Sequence, residues 1–157
     1  MIKKFGKNFI RCNKVYLKNW YDIQTKVDPY KRHKLSYMSK RKTVLIFEDD
    51  TIILEVITVV LTDLGFHVEV SETSHDIIQK VETTEPNLIL MDNWIPNIGG
   101  VEATRLLKAD DRFKHIPVIY VSANNDIESL AARAGADDFL SKPFDLDDLE
   151  DIVNKHI

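Results

Sequence analysis

The sequence has little of what cross-links a chain or carries it across a membrane. It has a single cysteine, Cys12, among 157 residues. One thiol excludes an internal disulfide and a cysteine-rich zinc site. No apolar run approaches the roughly 18 residues that a transmembrane helix needs. Near the N-terminus, lysines and asparagines interrupt every apolar stretch, which excludes the apolar core of a signal peptide. A cytoplasmic location fits these absences. What remains is 44% apolar, ordinary for a globular protein and too high for a wholly disordered one.

Charge is unevenly spread. Residues 1–42 have no alanine and no glutamate, and carry 13 Lys/Arg against two acids, a net +11. Residues 43–157 carry 8 Lys/Arg against 23 acids, a net −15, which brings the whole chain to −4. The break near Arg41–Thr43 predicts a basic extension, residues 1–42, followed by an acidic domain, residues 43–157. A domain of that length can bury a core without staples. Its acid excess argues against direct nucleic-acid binding and suits cation binding.

The acidic domain alternates strand and helix. Strands are predicted at Thr43–Phe47, His67–Val70, Leu88–Met91, Pro117–Val121 and Asp138–Leu140. Helices are predicted at Thr51–Leu64, Ser74–Thr84 and Val101–Ala109, from a capping box at Asn125 and Glu128 to Gly135, and from Asp145 to the C-terminus. Five strands alternating with five helices imply an α/β fold with a parallel sheet. The small doubly wound solution is flavodoxin-like, with strand order 2-1-3-4-5 and a ligand site beyond the C-terminal strand ends. Glu48, Asp49 and Asp50 follow strand 1, Asp92 follows strand 3, Ser122 strand 4 and Lys142 strand 5.

Carboxylates converging on one pocket repel each other. A hard divalent cation such as Mg²⁺, which takes oxygen ligands, removes the conflict. Asp92, nearest the sheet centre, can then serve as a carboxylate nucleophile toward a phosphoryl donor. Lys142 and Ser122 would neutralise the transferring group. No residue stands as an obvious hydrolytic base. Asp50 reads as a helix cap, and the acids from Asp145 to Asp151 as a solvated first helical turn. His67, His75, His115 and His156 show no ligand spacing and read as surface residues, and His33 is uninformative.

VLIFEDD, LILMDNWIP, VIYVSA and FLSKPF, in that order, resemble the receiver domain of bacterial two-component response regulators across about residues 43–157. The resemblance implies that Asp92 accepts a phosphoryl group from a histidine kinase or phosphotransfer protein. It implies Mg²⁺ held by Asp92, by Asp49 directly, by Glu48 through water and by the backbone carbonyl of Trp94. Ser122 would hydrogen-bond the phosphoryl group and Lys142 would pair with it. Lys142–Pro143 would be a cis peptide bond. Phe139 would be the switch aromatic, moving inward when Ser122 engages phosphate. Trp94 and Asn124 would tune the phosphate lifetime, and a moderately long one is expected.

The sequence departs from the family in places. Glu48 stands where Asp is usual, Phe139 where Tyr is frequent, and the loop reads NIGG without the common acid. Trp94 is large enough to shield the phosphoryl group. Because the sequence stops after helix five, a stand-alone receiver is expected, and the resemblance implies only autophosphorylation and slow autodephosphorylation as its own chemistry. Its output would run through a face of helix 4, strand 5 and helix 5, Asn125–Arg133 and Leu146–Ile157, toward a downstream protein. It leaves room for a phosphorylation-linked homodimer. The exposed edge of helix 1 would dock the kinase. The alternative is a degenerate receiver acting as a phosphorylation-independent adaptor, against which the intact Glu48, Asp49, Asp92, Ser122 and Lys142 speak. Flavin binding is disfavoured by acids after strand 1, where a phosphate loop should sit. A phosphatase of the same fold would need an acid at Trp94.

In the extension, Phe5, Phe9, Cys12, Tyr16, Trp20, Ile23 and Val27 fall on one helical face, and Lys7, Arg11, Lys14 and Lys18 on another. That pattern suits an anionic membrane surface or a partner. A second reading stays open. Twenty of residues 1–37 are Lys, Asn, Phe, Ile or Tyr, as AT-rich codons encode, and Met38 would be a natural start for a receiver.

Overall fold

Short apolar runs bounded by polar residues become strands when helices bury both of their faces. The computed structural model describes residues 41–157. The expectations for the extension, including its amphipathic helix and the start at Met38, lie outside the described residues. The element order is β1 (Thr43–Phe47), α1 (Thr51–Asp63), β2 (His67–Ser71), α2 (Ile77–Thr84), β3 (Leu88–Asp92), α3 (Gly99–Ala109), β4 (Val118–Ser122), α4 (Ile127–Ala134), β5 (Asp138–Ser141) and α5 (Leu146–His156). The strands form one parallel sheet in the order β2-β1-β3-β4-β5. This is the flavodoxin-like arrangement.

Alternation along the strands divides the core in two. Leu45, Phe47, Ile89, Met91, Val118 and Tyr120 face α2, α3 and α4, meeting Ile77, Val81, Ala103, Leu107, Ile127 and Ala131. Val44, Ile46, Leu88, Leu90, Ile119 and Val121 face α1 and α5, meeting Leu54, Ile57, Leu61, Leu149 and Val153. β3 and β4 are buried at every residue, while the edge strand β2 is largely half-exposed. The central strands therefore carry the rigid platform on which β3 ends.

Helix boundaries shift where loops make tertiary bonds. α2 starts at Ile77 rather than Ser74. Ser74 is buried, donates its hydroxyl to the Pro96 carbonyl at 2.7 Å and accepts from the Ile98 N–H at 3.2 Å. It latches the loop after β2 to the loop after β3. α4 starts at Ile127 after Asp126, without a side-chain cap. The expected box of Asn125 and Glu128 is replaced by a turn in which the Asp126 N–H donates to Asn124 Oδ1 at 2.9 Å. Asp50 caps α1 as expected, accepting from the N–H groups of Ile52 and Ile53. Gly65 and Gly135 follow α1 and α4 in the left-handed region, as helix stops of this kind require.

Candidate functional site

β1 ends between β2 and the central strand β3, flanked on both sides, so the next side chain has little water around it. Glu48 continues the ladder through its N–H to the Ser71 carbonyl at 3.1 Å, and its carboxylate is buried. One oxygen accepts from the Asp50 N–H at 3.1 Å and the other from Lys142 Nζ at 2.5 Å. Asp49, next in the chain, is exposed.

Asp92 is the last residue of β3, also buried. Its Oδ1 accepts from Lys142 Nζ at 2.7 Å and its Oδ2 from the Trp94 N–H at 2.5 Å. The chain then turns sharply into α3, where Gly100 donates its N–H to the Asn93 carbonyl at 3.0 Å. A Cβ at Gly100 would sit 2.1 Å from the Asp92 carbonyl oxygen, so only glycine permits this turn. The second glycine of NIGG is thus a steric requirement of the site.

Lys142 reaches in from beyond β5. Its backbone N–H donates to the Ser122 carbonyl at 2.8 Å, and the Lys142–Pro143 bond is cis. Ser122 is buried at the end of β4, its Oγ accepting from the Asn124 N–H at 3.1 Å. Phe139 is half-buried and packs on the α2–α4 side of the core, outside the polar cluster. The Trp94 side chain is 75% exposed. With Asn93, Pro96, Ile98, Asn124 and Leu130 it lines a cleft on this rim.

Glu48, Asp49 and Asp92 can each place a carboxylate oxygen within 4.8 Å of the others. Three carboxylates face one ammonium, leaving two negative charges in excess. Burial pushes the Glu48 carboxyl above its ordinary range, with Asp92's charge adding to the rise and the Lys142 hydrogen bond opposing it. Burial alone would lower the Lys142 ammonium, but its bonds to Asp92 and Glu48 outweigh that and raise it. An all-oxygen donor set with excess negative charge suits a hard divalent cation.

Sequence reasoning missed two side-chain pairs, one at this rim and one at the opposite rim. Tyr120 is fully buried and donates its hydroxyl to Asn93 Oδ1. Nothing in VIYVS distinguishes that tyrosine from a core aromatic. His156, expected at the surface, has a mostly buried ring that bonds Asp138 Oδ2 at 2.8 Å. Its signal was also absent, because the pair spans 18 positions.

The family model for the response regulator receiver domain matches residues 44–154. The chain belongs to the response regulator receiver family. Among curated proteins, this receiver is 36% identical over 107 residues to the phosphate regulon transcriptional regulatory protein PhoB of Pseudomonas aeruginosa, covering 66% of this chain and 46% of that protein. It is 31% identical over 106 residues to the DNA-binding response regulator MtrA of Mycolicibacterium paratuberculosis, with the same coverage. The chain thus spans just under half the length of these relatives. Among solved structures, the receiver domain of sensor histidine kinase PA1611 from Pseudomonas aeruginosa matches with a TM-score of 0.68 and 28% identity, covering 74% of this chain and 97% of that one. That structure has a magnesium ion coordinated in its active-site cleft. Receiver domains are phosphoacceptor modules of two-component signalling and bind Mg²⁺ at an acidic pocket. Among the described residues, no helix is long and apolar enough to cross a membrane.

Proposed function

We propose that this receiver accepts a phosphoryl group on Asp92, with Mg²⁺, from a histidine kinase or phosphotransfer protein, and that residues 43–157 form the complete acceptor unit. One observation carries the reading: Lys142 bridges Glu48 and Asp92 in a pocket that still holds excess negative charge. Asp49, Asp92 and the Trp94 carbonyl would hold the metal directly, and Glu48 through water. When bound, Mg²⁺ offsets the acid cluster and draws charge from the phosphoryl oxygens.

A carboxylate oxygen of Asp92 attacks phosphorus in line as the bond from phosphorus to the donor imidazole nitrogen breaks. The bonding pair returns to that imidazole. Lys142 already donates to Asp92 and follows the negative charge onto the phosphoryl oxygens. The Ser122 hydroxyl donates to one of those oxygens, and Phe139 packs inward behind it. The face of α4, β5 and α5 changes with that movement and meets a downstream protein. Trp94 and Asn124 line the cleft beside the acceptor and set how readily water reaches the acyl phosphate.

Incubation with Mg²⁺ and acetyl phosphate, followed by intact-mass spectrometry, tests the reading. One added phosphoryl group is expected, absent from Asp92→Asn and from an EDTA sample. No adduct on folded, Mg²⁺-bound protein, and none from a phosphorylated kinase, would leave a phosphorylation-independent adaptor instead.

A further inference from the structure

The loop after Asp92 performs two tasks in the proposed reaction. Its Trp94 N–H holds one oxygen of Asp92, and its Trp94 carbonyl is the proposed backbone metal ligand. The Trp94 N–H lies in the peptide plane shared with Asn93, and the Trp94 carbonyl begins the next plane, so holding Asn93 anchors the start of the segment that carries both. Asn93 is held from three directions. Its N–H donates to the Val121 carbonyl at 3.1 Å, its carbonyl accepts from the Gly100 N–H, and its side-chain oxygen accepts from the Tyr120 hydroxyl. The first two bonds belong to the backbone and exist for any residue at this position. The third is particular to this sequence.

Tyr120 is well placed for such a hold. It sits mid-strand in β4, beside Met91 of β3 and Phe139 of β5, and is fully buried in the α2–α4 half of the core. A packed ring fixes the hydroxyl in space, because core side chains occupy single rotamers. Burial and Asp92's charge push the hydroxyl up to about 12, so it keeps its proton and remains a donor. Asn93 is half-buried, and without Tyr120 its side chain is free to turn.

Resting on the acceptor reading above, we infer that Tyr120 is a positioning residue for phosphoryl transfer: its hydroxyl, through Asn93, presets the loop that aligns Asp92 and offers the Trp94 carbonyl to Mg²⁺. Without that bond the loop must be ordered when the metal binds, and the cost appears in metal affinity and transfer rate together. Tyr120 also joins this loop to Phe139 through the β4–β5 pairing.

Tyr120→Phe, Asn93→Ala and the double variant test this in the full chain. Mg²⁺ alone is titrated calorimetrically, phosphorylation by acetyl phosphate is timed by intact mass, and stability is measured by urea unfolding. One lost hydrogen bond corresponds to about a two- to tenfold effect. Each single variant is expected to weaken Mg²⁺ binding and slow phosphorylation by such a factor, with the double variant no worse than either alone. Wild-type Mg²⁺ affinity and rate in either folded single variant would overturn the inference, as would additive losses in the double variant. If Tyr120→Phe does not fold, Asn93→Ala, which leaves the core ring in place, decides by the same criteria. Failure of the unsubstituted protein to bind Mg²⁺ or accept phosphate would instead overturn the acceptor reading, and the inference with it.

Discussion

The two rims of the sheet use similar residues for opposite ends. At the C-terminal rim, Lys142 bonds Glu48 and Asp92, its side chain 14% exposed. At the N-terminal rim, Lys108 bonds Asp137 Oδ2 at 2.5 Å and the Ile116 and Lys114 carbonyls at 2.7 and 3.2 Å, its side chain 15% exposed. Asp137 in turn accepts from the Val118 N–H at 2.7 Å. The two lysines are therefore alike in burial, but the Asp137 side chain is 39% exposed whereas those of Glu48 and Asp92 are 3% and 5% exposed. The second difference is charge balance. Lys108 has one carboxylate partner and closes its network, whereas Lys142 shares a pocket with three acids. A buried lysine by itself signals neither structure nor function, and uncompensated acid beside it is what sets the rim of the proposed acceptor apart.

The sharpest way to break this comparison is to neutralise one acid at each rim. Asp92→Asn should abolish phosphoryl uptake from acetyl phosphate, while Asp137→Asn should leave it intact at temperatures where the protein is folded. Intact mass reads both. Next come the lysines. Lys142→Met should slow phosphorylation by about 10²–10³, the usual loss when a transition-state charge partner is removed. Lys108→Met should keep the rate and instead lower stability by about 0.5–1.5 kcal/mol, the usual worth of a lost hydrogen bond, because its acceptors are exposed or only part-buried. Equal effects of the two substitutions on rate would erase the distinction.

Metal should then sharpen it. Mg²⁺ at about a hundred times its dissociation constant should stabilise the protein by about 2.7 kcal/mol, seen as a raised unfolding midpoint that EDTA reverses. Asp49→Asn should lose most of that gain. A substitution at Asp137 should not.

The smallest effect belongs to the N-terminal rim and to acid pH. Burial acts to raise the Asp138 carboxyl, but hydrogen bonds from Lys155, His156 and the Phe139 N–H prevail and hold it down to about 2, against an ordinary 3.8. A carboxyl depressed in the folded state stabilises above its unfolded value and loses that contribution as pH falls through its folded value. The stability advantage of the unsubstituted protein over Asp138→Asn, on the order of 2 kcal/mol at neutral pH, should therefore hold down to about pH 4 and shrink toward pH 2. An advantage that does not change over that window would remove Asp138 from the account.

Much of this molecule follows from local rules. Leu88–Asp92 and Val118–Ser122 are buried at every residue, and their unbroken apolar runs say so, because a strand covered on both faces has no polar side. Strand order follows from the alternation of elements together with right-handed crossovers. The placement of Glu48, Asp49, Asp92, Ser122 and Lys142 at strand ends was legible for the same reason: a strand's C-terminal end can be read from where its apolar run stops. The helix starts were less legible. Ser74 and Asn124 carry good local signals for turns and caps, yet what they bond is a matter of which loop lies beside them.

The period of each element and its approximate extent, and with them the strand order, were readable from sequence, because they depend on neighbours one to four positions away. The helix starts at Ile77 and Ile127 and the side-chain partners were settled by tertiary contacts. Lys142 meets Glu48 across 94 positions and Asp92 across 50, Tyr120 meets Asn93 across 27, and Lys108 meets Asp137 across 29. Such pairs exist only once sheet order and register bring the strand ends together. Before that, each is an ordinary polar residue, and its chemistry depends on the dielectric and the charges that the assembled fold supplies.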